Sequence, residues 1–479
     1  MSQLSLKEKD LGPIIERLAE SNRQFATHYP GDSIERQPVH SVYGGAQLFK
    51  AETPQKLGQL ALRSLQAAAP DFAVFAQALG LSGVEELPEN GAEISALAET
   101  LAASPPALDD PVWQAYTIYQ RVRDKLSREP VEDLRVDFED GYGYRSDEEE
   151  DGHCLSVADQ LAIGLERGTL PPFIGFRPKS FSPECYARAV RTLDLVLTRL
   201  AEKSGGQLPD NFIVTLPKVT HPGQVEAMVA LLDNVEAQTG LPAGSVRLDL
   251  MIETPQVIIN PQGQAGIKAL VEAGQGRVKS VAYGTYDYTA ACNITAAYQS
   301  HTHAAADFSR HVMQVSLAGT GVTFSDGATN LMPIGPHKAK ADQPLTEEQL
   351  AENQATVHHA WRVHFNNVRH SLAHGYYQGW DLHPGQLPVR YAAMYAFFLE
   401  GLPDASRRLN NFITRAAQAS RVGNVFDDAA TGQGLLNFFL RGLACGALTE
   451  AEVLATGITV EELHSRSFAQ IVANRANKS

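Results

Sequence analysis

Short apolar runs recur along this chain, each closing on polar or charged residues and each followed by a longer segment with helical spacing. The runs predict strands at His40–Phe49, where Gly44-Gly45 interrupts, and at Glu132–Gly141, Phe173–Pro178, Phe212–Lys218 and Arg247–Glu253. Three more are predicted at Val278–Tyr283, Val322–Ser325 and Gly379–Leu382. Helical spacing fills Thr53–Ala69, Cys185–Ala201, Pro222–Gln238, Ala265–Ala273, Ala304–Ala318 and Glu347–Ala373. A further helix opens with Asp110 as its cap and Pro111 in its first turn, and runs to Leu126. Strands alternating with helices predict a parallel sheet, and eight of them predict a (β/α)8 TIM barrel of the α/β class.

At 479 residues the chain exceeds the roughly 250 of a plain barrel, so decorations are expected. Residues 1–37 read as a polar, partly helical lead-in and 38–387 as the barrel. An inserted helical lobe at about 70–106 carries helical patches near Phe72–Leu79 and Ala92–Ala102. Residues 388–479 read as a C-terminal helical extension. The acidic run Asp147–Asp151 reads as a solvated loop.

A net charge of -15 disfavours nucleic acid and anionic membrane as partners, while leaving room for a local basic pocket that binds a small-molecule carboxylate. Four scattered cysteines, no signal-peptide pattern and no long apolar run lead to the expectation of a cytoplasmic protein with reduced thiols. Neither a Walker loop nor a strand-borne dinucleotide fingerprint is present.

Candidate chemistry gathers where the strands end, which in a barrel is the catalytic face. Met251-Ile-Glu253-Thr-Pro255 and Ala282-Tyr-Gly284-Thr285-Tyr-Asp287-Tyr288 each deliver one carboxylate after an apolar run, so Glu253 and Asp287 can converge on a hard cation. Taken in order, Asp-Phe-Glu-Asp, Phe-Arg-Pro, Leu-Pro-Lys, Ile-Glu-Thr, Tyr-Gly-Thr-Tyr-Asp-Tyr and Leu-His-Pro-Gly-Gln resemble the HpcH/HpaI aldolase and citrate lyase β-subunit superfamily. The resemblance covers roughly residues 38–386 and implies a phosphoenolpyruvate- and pyruvate-binding barrel. The segment near Pro70 and the C-terminal helices depart from compact members, which leaves the substrate open.

The resemblance implies that Glu253 and Asp287 are ligands of Mg²⁺ or Mn²⁺ and that Arg177 holds a substrate oxygen or carboxylate. It makes Asp137, Glu139 and Asp140 groups that orient Arg177 and metal-bound water. Read from the residues alone, Arg177 can equally pair with Glu139 or Asp140. Lys218 can serve the substrate or form a salt bridge to Glu253. Gly284 and Thr285 can bring amides close to a carboxylate or simply make a turn, and His383 can be a catalyst or a packed residue. His301, His303 and His311 lack the spacing of a zinc motif, whereas Arg310 and the loop Ser325–Asn330 are candidates for the barrel mouth.

The leading expectation is a Mg²⁺-dependent carbon–carbon lyase or aldolase that acts through an enolate on a hydroxy or keto acid, or on its coenzyme A thioester. Alternatives are a phosphoenolpyruvate-dependent phosphotransferase and a noncatalytic metabolite-binding subunit. The general base is left open among metal-bound hydroxide, His383, an acid of the second strand and a residue of another subunit. A homo-oligomer is expected, with Asp427 and Asp428 as candidates for a lid or a neighbouring site.

Overall fold

A computed structural model describes residues 8–31, 33, 35–103, 109–340, 343–414, 420–422, 425–427, 429–465 and 468–476. Eight parallel strands close into a barrel: β1 (His40–Gly45), β2 (Asp133–Asp137), β3 (Phe173–Arg177), β4 (Phe212–Leu216), β5 (Arg247–Ile252), β6 (Val278–Tyr283), β7 (Thr323–Ala328) and β8 (Gln378–Asp381). The expected (β/α)8 class is therefore observed. β1 is shorter than the apolar run suggested, because the chain turns into a short 3-10 segment at Ala46–Leu48. β7 is longer, reaching Ala328 through a register irregularity against β8.

Strand alternation sets which side chains enter the barrel. On β2, Leu134 and Val136 join the hydrophobic layer under the helices, while Asp133, Arg135 and Asp137 point inward. Pairing of Asp137 with Arg177 across β2 and β3 sets the register at the C-terminal end of the strands. Below that level the interior is polar. Arg135 donates to Asp133 at 2.8 and 3.0 Å and to Thr215 at 3.1 Å, Thr215 and Ser280 donate to Asp249 at 3.1 and 2.6 Å, and Ser41 donates to Asp133 at 2.6 Å. Every member is buried and partnered, which makes a charged interior tolerable.

The acidic run is not a loop. Asp147–Arg167 is a helix whose N-cap Ser146 accepts from the Glu149 N–H at 3.2 Å, and four acids in its first turn oppose the positive end of the helix dipole. Glu150 turns inward and accepts from Lys179 at 2.6 Å and Thr192 at 2.8 Å.

Helix Phe72–Leu79 is buried against helices Pro111–Arg128 and Glu347–Ala373 and shares their core. Leu387–Thr414 follows β8 and packs on the same two helices, with Leu387, Val389, Tyr391 and Phe398 buried. A division at residue 387 thus falls between the last strand and the helix that covers it. The remaining C-terminal helices lie toward the end of the barrel opposite the mouth, where the Gln37 N–H, just before β1, donates to the Ala444 carbonyl at 3.0 Å. Ser420–Val422 and Val425–Asp427 form a small antiparallel pair, β9 and β10. Asp428 and the side chain of Asp427 lie outside the described residues. Among the described residues no helix is long and apolar enough to cross a membrane.

Candidate active site

Arg177, the last residue of β3, is fixed from several directions. Its Nε and Nη2 donate to the two carboxylate oxygens of Asp137, both at 2.7 Å, and its Nη1 lies 3.0 Å from Glu139 and 3.4 Å from the sulfur of Met251. The ring of Tyr43 from β1 stands 4.7 Å from the guanidinium carbon and that of Trp380 from β8 stands 5.5 Å away, a cation-π environment. Only 1% of Arg177 is exposed. Burial works against its charge, but the bonds and charge of Asp137, with Glu139, hold its pKa above the ordinary arginine range.

Asp137 is itself held by the chain that leaves β2, where the N–H groups of Glu139 and Gly141 donate to its two oxygens at 3.0 and 2.7 Å. A side chain at Gly141 would stand 2.6 Å from one of those oxygens, so any other residue there would push the Asp137 carboxylate out of place. The ion pair that sequence alternatives assigned to Glu139 or Asp140 is thus made chiefly with Asp137, and secondarily with Glu139. Asp140 turns to Lys218 instead.

Lys218 departs from the expected salt bridge with Glu253. Its ammonium goes to Glu139 at 2.6 Å and Asp140 at 3.0 Å, while its backbone N–H donates to Glu253 Oε1 at 2.7 Å. Burial opposes the charge, but these two acids hold the Lys218 pKa above its ordinary value.

Glu253 follows β5 and is buried, and Gly284, just after β6, passes so close that an added Cβ would meet Glu253 Oε2 at 2.5 Å. Burial, reinforced by the negative charge of Asp287 and then Glu139, pushes the Glu253 carboxyl up to about 8. Asp287 is exposed in the first turn of helix Thr285–Ala291. Glu139 is likewise raised by burial, with Asp140 adding to the effect and Arg177 and Lys218 opposing it. The barrel mouth therefore brings together Asp137, Glu139, Asp140, Glu253 and Asp287 against Arg177 and Lys218. Acids outnumber cations, and the surplus is concentrated on a buried oxygen donor.

Thr285 is buried beside Gly327, and its hydroxyl has no hydrogen-bond partner among the described residues. His383 does not project into this group: its Nδ1 accepts from the Gly385 N–H at 3.0 Å and caps the turn Pro384–Gln386, and burial lowers its pKa. Arg310 is not a mouth residue. It is buried outside the strands, donating to Asp326 at 2.7 Å and to the His301 carbonyl at 2.7 Å. His301 faces Ser371 and Asp326, His303 caps helix Ala304–Leu317, and His311 lies beside His374 with the rings tilted, so the three histidines do not converge. Among the described residues no group of three or more His, Cys, Asp and Glu is arranged to hold a metal ion. A pair such as Glu253 and Asp287, completed by water and substrate oxygens, is a different kind of site.

Sequence reasoning missed Tyr43, Trp380 and Met251. Tyr43 follows the inward-facing Ser41 at strand period, and Met251 lies midway between the inward Asp249 and Glu253, so period-two reading of each strand was the available signal. Trp380 carried the same signal on β8.

The fold is shared with a citrate lyase from Burkholderia xenovorans LB400, at TM-score 0.50 and 17% identity, covering 71% of this chain and 92% of that one. A Haloferax volcanii malate synthase, solved as a magnesium/glyoxylate complex, aligns at TM-score 0.40 and 13% identity over 92% of this chain and 98% of that one. No curated protein matches the chain in sequence. Residues 18–471 match the family described as a domain of unknown function, DUF6986, and the chain belongs to that family.

Proposed function

We propose that this chain is a divalent-metal-dependent carbon–carbon lyase or aldolase of the HpcH/HpaI and citrate lyase type, acting on a hydroxy or keto acid or on its coenzyme A thioester. The observation that carries the reading is Glu253, a buried carboxyl raised to about 8 by burial and by the charge of Asp287 and Glu139. A buried oxygen donor crowded by other acids is short of a cation, and oxygen-only donors suit Mg²⁺ or Mn²⁺. Glu253 and Asp287 would hold that ion. When bound, it would supply positive charge for the oxyanion that develops as a carbon–carbon bond next to a carbonyl breaks or forms.

The chain's own groups account for the rest of the site. Asp137 locks Arg177 in one orientation, and the Tyr43 and Trp380 rings, 4.5 Å from each other, pack against it as a pair. The guanidinium is therefore preoriented, and a substrate carboxylate would meet it at Nη1 by taking the place of Glu139. The ammonium of Lys218 holds Glu139 and Asp140 together and offsets their charge at the mouth. A carboxylate entering this acid-rich mouth would face repulsion until the cation is present, which is the reason for proposing a metal-dependent reaction.

The test is a screen of hydroxy and keto acids, with and without coenzyme A thioesters, for release of pyruvate, acetyl-CoA or glyoxylate in the presence of Mg²⁺ or Mn²⁺. Metal-dependent release that disappears in Glu253→Ala and Asp287→Ala supports the proposal. Turnover that survives chelation, or that survives both substitutions, counts against it. Phosphoryl transfer from phosphoenolpyruvate without carbon–carbon cleavage would favour the phosphotransferase reading instead.

A further inference from the structure

The helix Glu8–His28 spans 21 residues, and from Gly12 to His28 none of them is buried. Its root is fixed to the barrel: the Gly31 N–H donates to the Gly319 carbonyl at 2.9 Å, and Lys268 donates to the Tyr29 hydroxyl at 3.0 Å. Beyond the root the helix stands free, yet it is strongly amphipathic. At about 100° per residue, Ile14, Ile15, Leu18 and Phe25 fall on one face, and Glu16, Arg17, Glu20 and Arg23 fall on the other. The four apolar side chains keep 54, 55, 53 and 65% of their surface exposed. A free helix of this length is marginal in water, so its order depends on something covering that face.

We infer that Glu8–His28 is a dimerisation arm whose apolar stripe pairs with the same helix of a second copy of this chain. Three features favour a second copy over other occupants. Ala19, Ser21 and Ala26 flank the stripe, and such small residues let two helix backbones approach closely. Asn22 lies within the stripe, and an amide there finds its complement in the Asn22 of an identical helix, in the way a polar seam residue specifies helix pairing. The far face mixes acidic and basic residues, and the chain carries a net charge of -15, unlike the lysine- and arginine-rich face of a helix that lies on anionic lipid. Self-pairing about a two-fold axis covers both stripes in one closed contact.

The four exposed side chains offer on the order of 100 Å² each, so two arms bury about 800 Å², less than the ~1,200 Å² where stable interfaces begin. A reversible dimer is expected. Sedimentation velocity of the full chain should show the mass rising from 52.0 kDa towards twice that value across the micromolar range. The double variant Leu18→Glu with Phe25→Glu should stay at the monomer mass, with its melting temperature unchanged because neither position packs on the barrel. Oxidised Leu18→Cys should give a covalent dimer beyond the background from the exposed Cys292. Three outcomes overturn the inference: a wild-type chain that stays monomeric to 100 µM, a double variant that still dimerises, and an arm that binds phosphatidylglycerol vesicles without self-association.

Discussion

The backbone N–H of Lys218 donates to Glu253 at 2.7 Å from a left-handed conformation, φ 51°, which a residue with a Cβ rarely adopts. Glu253 is therefore oriented by a strained peptide, and the strain sits next to the candidate metal ligand, where such strain tends to be found. Lys218→Gly should keep the N–H and relieve the conformation. Lys218→Met should keep the strain and lose the ammonium. Both lose the bridges to Glu139 and Asp140, so the glycine variant should be the more stable of the two by about 1 kcal/mol in chemical denaturation. Equal stabilities would remove the argument for strain.

Protonation of Glu253 links stability, metal and pH. Its folded pKa of about 8 exceeds its ordinary value of 4.5, so across that window the metal-free folded protein retains a proton that the unfolded chain has lost. The stability from this group is fully present below about 4.5 and is lost as pH rises through about 8. Melting temperatures of the metal-free protein should fall over that range, and Glu253→Gln should flatten the slope. Mg²⁺ must displace the same proton, so its affinity should rise about tenfold per pH unit up to about 8 and then level off. Calorimetric titrations at several pH values check this, and an affinity independent of pH would separate Glu253 from the metal.

Glycine positions distinguish the site from the scaffold. Gly284→Ala places a methyl 2.5 Å from Glu253 Oε2, and the carboxylate must move. Gly175→Ala places one 1.7 Å from the backbone carbonyl of Ile213, where only the separation of β3 and β4 can give way. The first should weaken Mg²⁺ binding at least tenfold while costing about 1–3 kcal/mol of stability. The second should prevent recovery of folded protein. A Gly284→Ala chain with wild-type metal affinity would place the ion elsewhere.

All eight strands were legible because each combines an apolar run with a change of period, and the barrel followed from their alternation with helices. Asp147–Asp151 was misread because charge density alone does not distinguish a loop from a capped first turn; Ser146, and Glu150 facing Lys179, make the difference. Glu253, Asp287 and Arg177 stood out because each follows an apolar run. The partners of Arg177 and Lys218 did not, since which acid meets which cation depends on how the chain after β2 folds back over the mouth. That path is set by the Glu139 and Gly141 amides bonding to Asp137, a local feature with no composition signal.

His383→Ala should leave turnover within about threefold and cost about 1 kcal/mol, because the side chain caps Pro384–Gln386 and does not face the acids. His383→Asn, which restores a capping acceptor, should recover most of that loss. A fall in turnover of a hundredfold or more in both variants, with stability intact, would instead make His383 the general base.

Arg177→Lys tests the centre of the site. Lysine keeps the charge, but a single ammonium cannot satisfy both oxygens of Asp137 and also reach Glu139, and it lacks the flat guanidinium that packs against the Tyr43–Trp380 pair. Because Arg177 is buried, the substitution should cost stability as well as activity, on the order of 1–3 kcal/mol for unmade charge-assisted bonds. If the guanidinium also meets developing charge on the substrate, turnover should fall about a hundredfold or more. Asp137→Asn separates the two effects: it keeps the shape of the partner and leaves Arg177 charged but less tightly oriented. Its stability should fall as in Arg177→Lys, while its turnover should fall less. Metal-dependent turnover measured beside thermal unfolding decides the matter. Full activity in Arg177→Lys with a lowered melting temperature would make the residue a structural ion-pair partner and leave the substrate carboxylate without a cation from this chain other than Lys218.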